Sequence, residues 1–261
     1  MFTEADLPEE LSDLRSSIAP DTLVVTCRRE FESLPEDGLY ELAMITDRIE
    51  SHDYDPAWVP DSAPDVVQRV LDGDPTIGLP GDGGLTWTKQ TDPPIVLLKP
   101  RLDGIPTDFH TYLIAEALLD IALDHPEHPL GFFRDQYSAL QAATDDDSGL
   151  TYRLAGALCE AWCGLGRRER IAEWEDTWPT IYAAWVDAGE QLTERVNELP
   201  DLLRNGSMGF AGATELACSG IKHDLALPKP FDALDVAAYR EHGPAFAVRW
   251  TERTVSQIQD A

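Results

Sequence analysis

Lysine is nearly missing from this chain: Lys89, Lys99, Lys222 and Lys229 are all it has, and arginine supplies the other bases. Contact with phosphate needs clustered Lys and Arg, so this scarcity argues against a nucleic-acid groove and against binding to an anionic membrane surface. Cysteine is scarce too. Cys27, Cys159, Cys163 and Cys218 are scattered, which reads as free thiols in a reducing compartment, not as a disulfide framework. No apolar run approaches the roughly 20 residues that span a bilayer. Met1-Phe2-Thr3-Glu4 lacks the charged and apolar regions of a secretion signal. A cytoplasmic protein is expected. Complete catalytic motifs are also missing. There is no Gly-x-Ser-x-Gly elbow, and the glycine-rich stretch Pro80-Gly81-Asp82-Gly83-Gly84 lacks the Gly-Lys-Ser/Thr of a phosphate loop.

What the chain has in excess is carboxylate. Its 48 Asp and Glu against 20 Lys and Arg give a formal net charge of -28 over 261 residues. Dense acid with little lysine suits molar salt, where the Debye length falls to roughly 3 Å and like charges stop repelling. The excess is uneven. Residues 1–149 hold 31 acids and 9 bases, net -22, whereas 150–261 hold 17 and 11, net -6. The second part also holds Trp162, Trp174, Trp178, Trp185 and Trp250. Low charge and many tryptophans make the 150–258 region the expected surface for an unknown protein partner or for self-association.

Hydrophobic residues at 43% are enough for a buried core. Apolar periodicity predicts helices at 107–124, 131–143, 150–164, 167–175, 178–198, 208–225 and 243–258, after shorter ones nearer the N-terminus. Short β-rich runs at 22–26, 76–79, 85–88 and 95–98 predict a small sheet, with 80–84 as a hairpin turn. The expected fold is α+β and predominantly helical: three or four strands packed on a central helix, with a C-terminal helical bundle. Asp145-Asp146-Asp147-Ser148-Gly149 is the best linker signal. It divides an α/β part, 1–145, from a helical part, 150–261, unless the two form one continuous domain.

The segment 107–124 is apolar around most of its circumference, and Glu116, Asp120 and Asp124 form a stripe along it at four-residue spacing. His125 and His128 follow at once. Carboxylates and imidazoles together form a donor set for a metal such as zinc. The plainer reading is the wet edge of a helix followed by an exposed loop. Arg167, Arg168 and Arg170 are a local basic cluster, either a site for a carboxylate or phosphate or a helix end paired with Glu173 and Glu175. Cys159 and Cys163, one turn apart, read as buried small hydrophobes. The stripe Trp174, Trp178, Ile181, Trp185 is either a groove for a peptide or aromatic ligand or, by default, packing between helices.

The stretch from Ile95 to Tyr137 resembles the core of small zincin-like metallopeptidases. Its helix reads Leu113-Ile114-Ala115-Glu116-Ala117-Leu118-Leu119-Asp120, and His125-Pro126-Glu127-His128 lies downstream. The resemblance assigns the catalytic glutamate to Glu116. Ala115 and Leu119 stand where the two helical zinc ligands belong, so it implies a degenerate core. Taken whole, the chain also resembles an uncharacterised haloarchaeal family, through Trp87 to Pro94, Pro126 to Phe133 and Tyr239 to Trp250. That resemblance implies a salt habit and no chemistry. The sequence therefore supports first a non-catalytic interaction or scaffold protein, with no cofactor. The alternative is a metal-dependent hydrolase using Glu116, His125 and His128.

Overall fold

A computed structural model describes residues 2–259. In chain order its elements are β1 (Phe2–Glu4), α1 (Glu9–Ile18), β2 (Leu23–Cys27), α2 (Glu36–Leu42), β3 (Arg48–Ile49), α3 (Asp65–Leu71), β4 (Leu85–Thr88), β5 (Thr91–Asp92), β6 (Ile95–Leu98), α4 (Thr107–Ala122), α5 (Pro129–Phe133), α6 (Tyr137–Ala142), α7 (Ser148–Ile171), α8 (Pro179–Asn197), α9 (Leu199–Arg204), α10 (Phe210–Ile221) and α11 (Ala237–Gln259). The fold is α+β and mostly helical, as the periodicity predicts. Two compact units share the chain. The first comprises 1–53, 69–127 and 173–185; the second comprises 54–68, 128–172 and 186–261.

The first unit is built on a four-stranded sheet of order β1-β2-β6-β4. β2 and β6 run parallel, and β1 and β4 lie antiparallel on the outside. β6, Ile-Val-Leu-Leu, is buried at every position, the signature of a strand covered on both faces. Ile95 and Leu97 join Val25, Cys27, Phe31, Leu34 and Leu42 in one core. The opposite face meets α4, which packs on β4, β6 and α1. Glu10 of α1 accepts hydrogen bonds from the N–H groups of Thr180 (2.9 Å) and Ile181 (3.1 Å). A carboxylate thus satisfies the orphan donors of the first turn of α8.

One expected strand is absent. Residues 76–79 form no strand, Gly78 having a φ of 79°, and the side chain of Gln90 takes the place of a neighbouring strand at Thr76. It accepts from Thr76 N (3.0 Å) and donates to Thr76 O (2.8 Å). With no strand before it, 80–84 is a loop and not a hairpin turn. β1 takes the fourth place in the sheet.

The second unit is helical. α7 and α10 form its closest helix pair, and α5, α6 and α11 also pack on α7. The expected break between 150–164 and 167–175 does not occur, because α7 runs through Gly164 and Gly166. Glycine serves close approach there. A Cβ on Gly164 would lie 3.3 Å from Lys222 N, and one on Gly166 would lie 2.7 Å from Arg240 Nη2. The expected helix 131–143 is interrupted at Arg134, whose φ is 51°. Asp145 and Asp146 also adopt positive φ, 53° and 60°, and Asp147 caps α7 by accepting from Leu150 N at 3.0 Å. The acidic stretch is therefore a tight turn between α6 and α7, inside the second unit.

α11 carries Pro244 in its interior and kinks at Gly243, where φ is 46°. Proline lacks the N–H that would have bonded the carbonyl four residues back, on Arg240. The indole N–H of Trp162 takes that role and donates to Arg240 O at 3.1 Å. The guanidinium of Arg240 lies 4.3 Å from the centroid of the same indole.

Candidate functional site

Glu116 and His125 belong to the first unit and His128 to the second. All three are buried, at 6%, 1% and 2% exposure, so neither histidine is in an exposed loop. The hydroxyl of Tyr112 donates to Glu116 Oε1 at 3.1 Å. The Nδ1–H of His125 donates to Asp120 Oδ1 at 2.8 Å. In the second unit the ring of His128 stands edge-on to Tyr54, with centroids 6.0 Å apart. Ala115 and Leu119 are packed in the core at 0% and 2% exposure, and neither side chain has a donor atom. Among the described residues no group of three or more His, Cys, Asp or Glu side chains is arranged to hold a metal ion. The residues present do not fit a zincin-type zinc.

Glu127 is the polar hub here that sequence reasoning passed over. Its carboxylate accepts from Lys89 N (3.0 Å), Gln90 Nε2 (2.6 Å) and His52 Nε2 (3.1 Å). Lys89 Nζ reaches on to His125 O at 2.9 Å. These bonds hold the turn after α4 to the loop between β4 and β5. They satisfy buried polar groups that would otherwise be costly.

The three arginines diverge. Arg167 is buried and pairs with Glu160 at 2.6 Å. Arg168 pairs with Asp224 (3.1 Å) and Asp235 (2.6 Å), and Arg170 is exposed. Burial works against the Glu160 charge, but Arg167 and Lys222 outweigh it and hold the carboxyl down at about 2. The cluster lies in the last turn of α7, as the helix-end reading expects, and Glu160, Asp224 and Asp235 pair with Arg167 and Arg168. Trp174 and Trp178 pack edge-to-face at 5.6 Å, and Trp174 and Trp185 are buried in the first unit.

A different site stands in the second unit. A cavity of about 340 Å³ lies between the segment 229–233 and one stripe of α11. Phe246, Arg249, Trp250, Arg253 and Gln257 recur at three- and four-residue spacing and therefore share a helical face. Lys229 and Pro230 form the opposite wall. The indole N–H of Trp250 donates to Pro230 O at 3.1 Å and ties the two walls together. Phe210 stacks behind that indole with centroids 5.9 Å apart. Three cations, Lys229, Arg249 and Arg253, face one lining acid, Asp232. Among the described residues none of the three is in an ion pair. By contrast Arg101, Arg153, Arg167 and Arg168 each hold a carboxylate. The sequence signal for this site, two arginines one turn apart flanking Trp250, is faint; Lys229 joins only through the tertiary fold.

Among the described residues no helix is long and apolar enough to cross a membrane. The chain belongs to DUF7089, a family of unknown function, whose model matches residues 1–258. Comparisons with curated proteins and with solved structures give no match.

Proposed function

We propose that this DUF7089 member is a non-catalytic interaction protein of a salt-rich cytoplasm, and that its binding element is the cavity walled by Phe246 and Trp250. One observation carries the reading: three cations that form no ion pair among the described residues ring an aromatic cavity in a chain of net charge -28. Single arginines elsewhere, such as Arg28, Arg69 and Arg195, also hold no carboxylate among the described residues, but here three such bases converge on one aromatic cavity, which favours an acidic ligand. The complementary partner is an acidic protein segment that seats an aromatic or aliphatic side chain against Trp250 and sets its carboxylates on Lys229, Arg249 and Arg253. The volume suits one or two side chains, not a whole element. Molar salt screens charges beyond roughly 3 Å. Only pairs in direct contact then contribute, and the aromatic walls supply most of the affinity.

The test is calorimetric titration in molar KCl with a peptide alternating Glu and Trp, against one alternating Lys and Trp. The acidic peptide should bind. The pair Arg249→Glu and Arg253→Glu should weaken it about tenfold, or about 1.4 kcal/mol. Both residues are exposed, so Tm should stay put. Equal binding of both peptides, or an unaffected double variant, sinks the reading. The salt habit has its own test. Without KCl, repulsion should lower Tm, and a salt-independent Tm would remove the halophilic part while leaving the cavity untouched.

A further inference from the structure

The carboxyl ends of the parallel strands β2 and β6 carry a second, unrelated feature. The register pairs Thr26 with Leu98, so the next residues, Cys27 and Lys99, stand side by side on the same face of the sheet. The crevice beyond such strand ends is a common place for small ligands. Lys99 is 1% exposed. Among the described residues its Nζ has no hydrogen-bond partner, and it lies 4.7 Å from the centroid of Phe31. A buried ammonium without hydrogen bonds is costly. Desolvation pulls this amine below the usual lysine range, and the nearby Asp82 only partly opposes that. Asp82 moves the other way. Desolvation raises its carboxyl, although Oδ2 accepts from Leu79 N (2.7 Å) and Thr86 Oγ1 (3.3 Å). A buried amine pushed toward its neutral form is a nucleophile, and Asp82, whose charge acts on it, is a carboxyl that can exchange a proton with it.

The cover over this end is a glycine-rich loop, open at Gly81 and Gly83 but packed at Gly78, where a Cβ would lie 2.6 Å from Glu32 O. Gly78, Gly81 and Gly83 have φ of 79°, 105° and 73°, and no atom lies within 4 Å of where a Cβ on Gly81 or Gly83 would stand. Arg101, bonded to Glu30 and Glu32, closes the side. Those acids and Asp82 disfavour an anionic ligand, and Phe31 favours an apolar one.

We infer that Lys99 is an imine-forming amine for a small uncharged aldehyde or ketone, admitted when the glycine-rich loop 78–84 lifts. The Nζ lone pair attacks the carbonyl carbon and forms a C–N bond. The C=O π pair moves to oxygen, which takes the proton of Asp82. The ammonium nitrogen of this adduct passes a proton back to the carboxylate, giving the neutral carbinolamine. Loss of its hydroxyl as water, with the remaining N–H proton removed, leaves the C=N bond. No oxidant or reductant is needed.

The test treats the folded chain with acetaldehyde and cyanoborohydride and maps N-ethylation by mass spectrometry. Only four lysines compete. Lys99 should label faster than the exposed Lys229 near neutral pH, since a lowered pKa raises the neutral fraction of the amine. Asp82→Asn should slow Lys99 by about tenfold without changing Tm or labelling at Lys89, Lys222 and Lys229. A Lys99 that labels more slowly than Lys229, or only on unfolding, overturns the inference. So does a rate at Lys99 that Asp82→Asn leaves unchanged.

Discussion

Three glycines of α7 make opposite predictions from one sequence feature. Replacing a helical glycine by alanine should stabilise by about 0.5–1 kcal/mol through backbone entropy. At Gly156 that gain should appear in full, because no atom lies within 4 Å of the added Cβ. At Gly164 the Cβ would lie 3.0 Å from Lys222 Cβ and 3.3 Å from its N and Cα. A backbone at the end of α10 cannot retreat as a side-chain tip can, and overpacking costs about 1–3 kcal/mol. Gly164→Ala should therefore destabilise by about 0.5–2 kcal/mol net. Gly166 lies between these cases. Its Cβ would stand 2.7 Å from Arg240 Nη2, a flexible group, but one that also donates to Trp162 O at 3.2 Å. Moving it sacrifices that bond and the contact over the indole, about 1–2 kcal/mol together, which roughly cancels the gain. Melts followed by circular dichroism at fixed KCl read these values at about 2–4 °C per kcal/mol. Gly156→Ala should raise Tm, Gly166→Ala should leave it near the parent, and Gly164→Ala should lower it. If Gly164→Ala melts as high as Gly156→Ala, α7 and α10 are not packed as described.

Two further predictions concern the same unit. Trp162→Phe keeps most of the packing but strands Arg240 O at the Pro244 kink, so it should cost about 1–3 kcal/mol in denaturant unfolding; a neutral result would mean water serves that carbonyl equally well. Glu160 is held below its unfolded value of about 4.3, so its stabilising contribution is present above that pH and is lost as pH falls toward about 2. Glu160→Gln should flatten acid unfolding in that window, and an unchanged acid limb would show that Arg167 and Lys222 do not hold the carboxylate.

Much of this fold is legible in the residues. The Val/Ile/Leu runs of β2 and β6 and the long apolar helices α4 and α8 stand within two residues of their expected ends. The misreadings share a cause. Ile77 and Leu79 look like strand residues, yet a Gln90 side chain pairs the backbone beside them. Gly164 and Gly166 look like a break, yet they mark where another segment comes close. Both outcomes depend on partners distant in the chain. β1 is three residues long, and only its pairing with β2 defines it. The site shows the same limit. Glu116, His125 and His128 drew notice because their chemistry is visible locally. The cavity joins 229–233 to 246–257, and what distinguishes its cations is their convergence on one aromatic cavity, a property of the folded surface.

The most direct measurement of the binding proposal is the indole N–H spectrum of the protein, which has seven tryptophans, recorded in molar KCl while an acidic, aromatic peptide is added. Trp250 should shift in proportion to occupancy while Trp162 and Trp174 stay fixed, and the shift should vanish in the Arg249→Glu, Arg253→Glu variant. A Trp250 signal that ignores the peptide, or that moves equally with a basic one, would contradict the claim that this cavity receives an acidic partner.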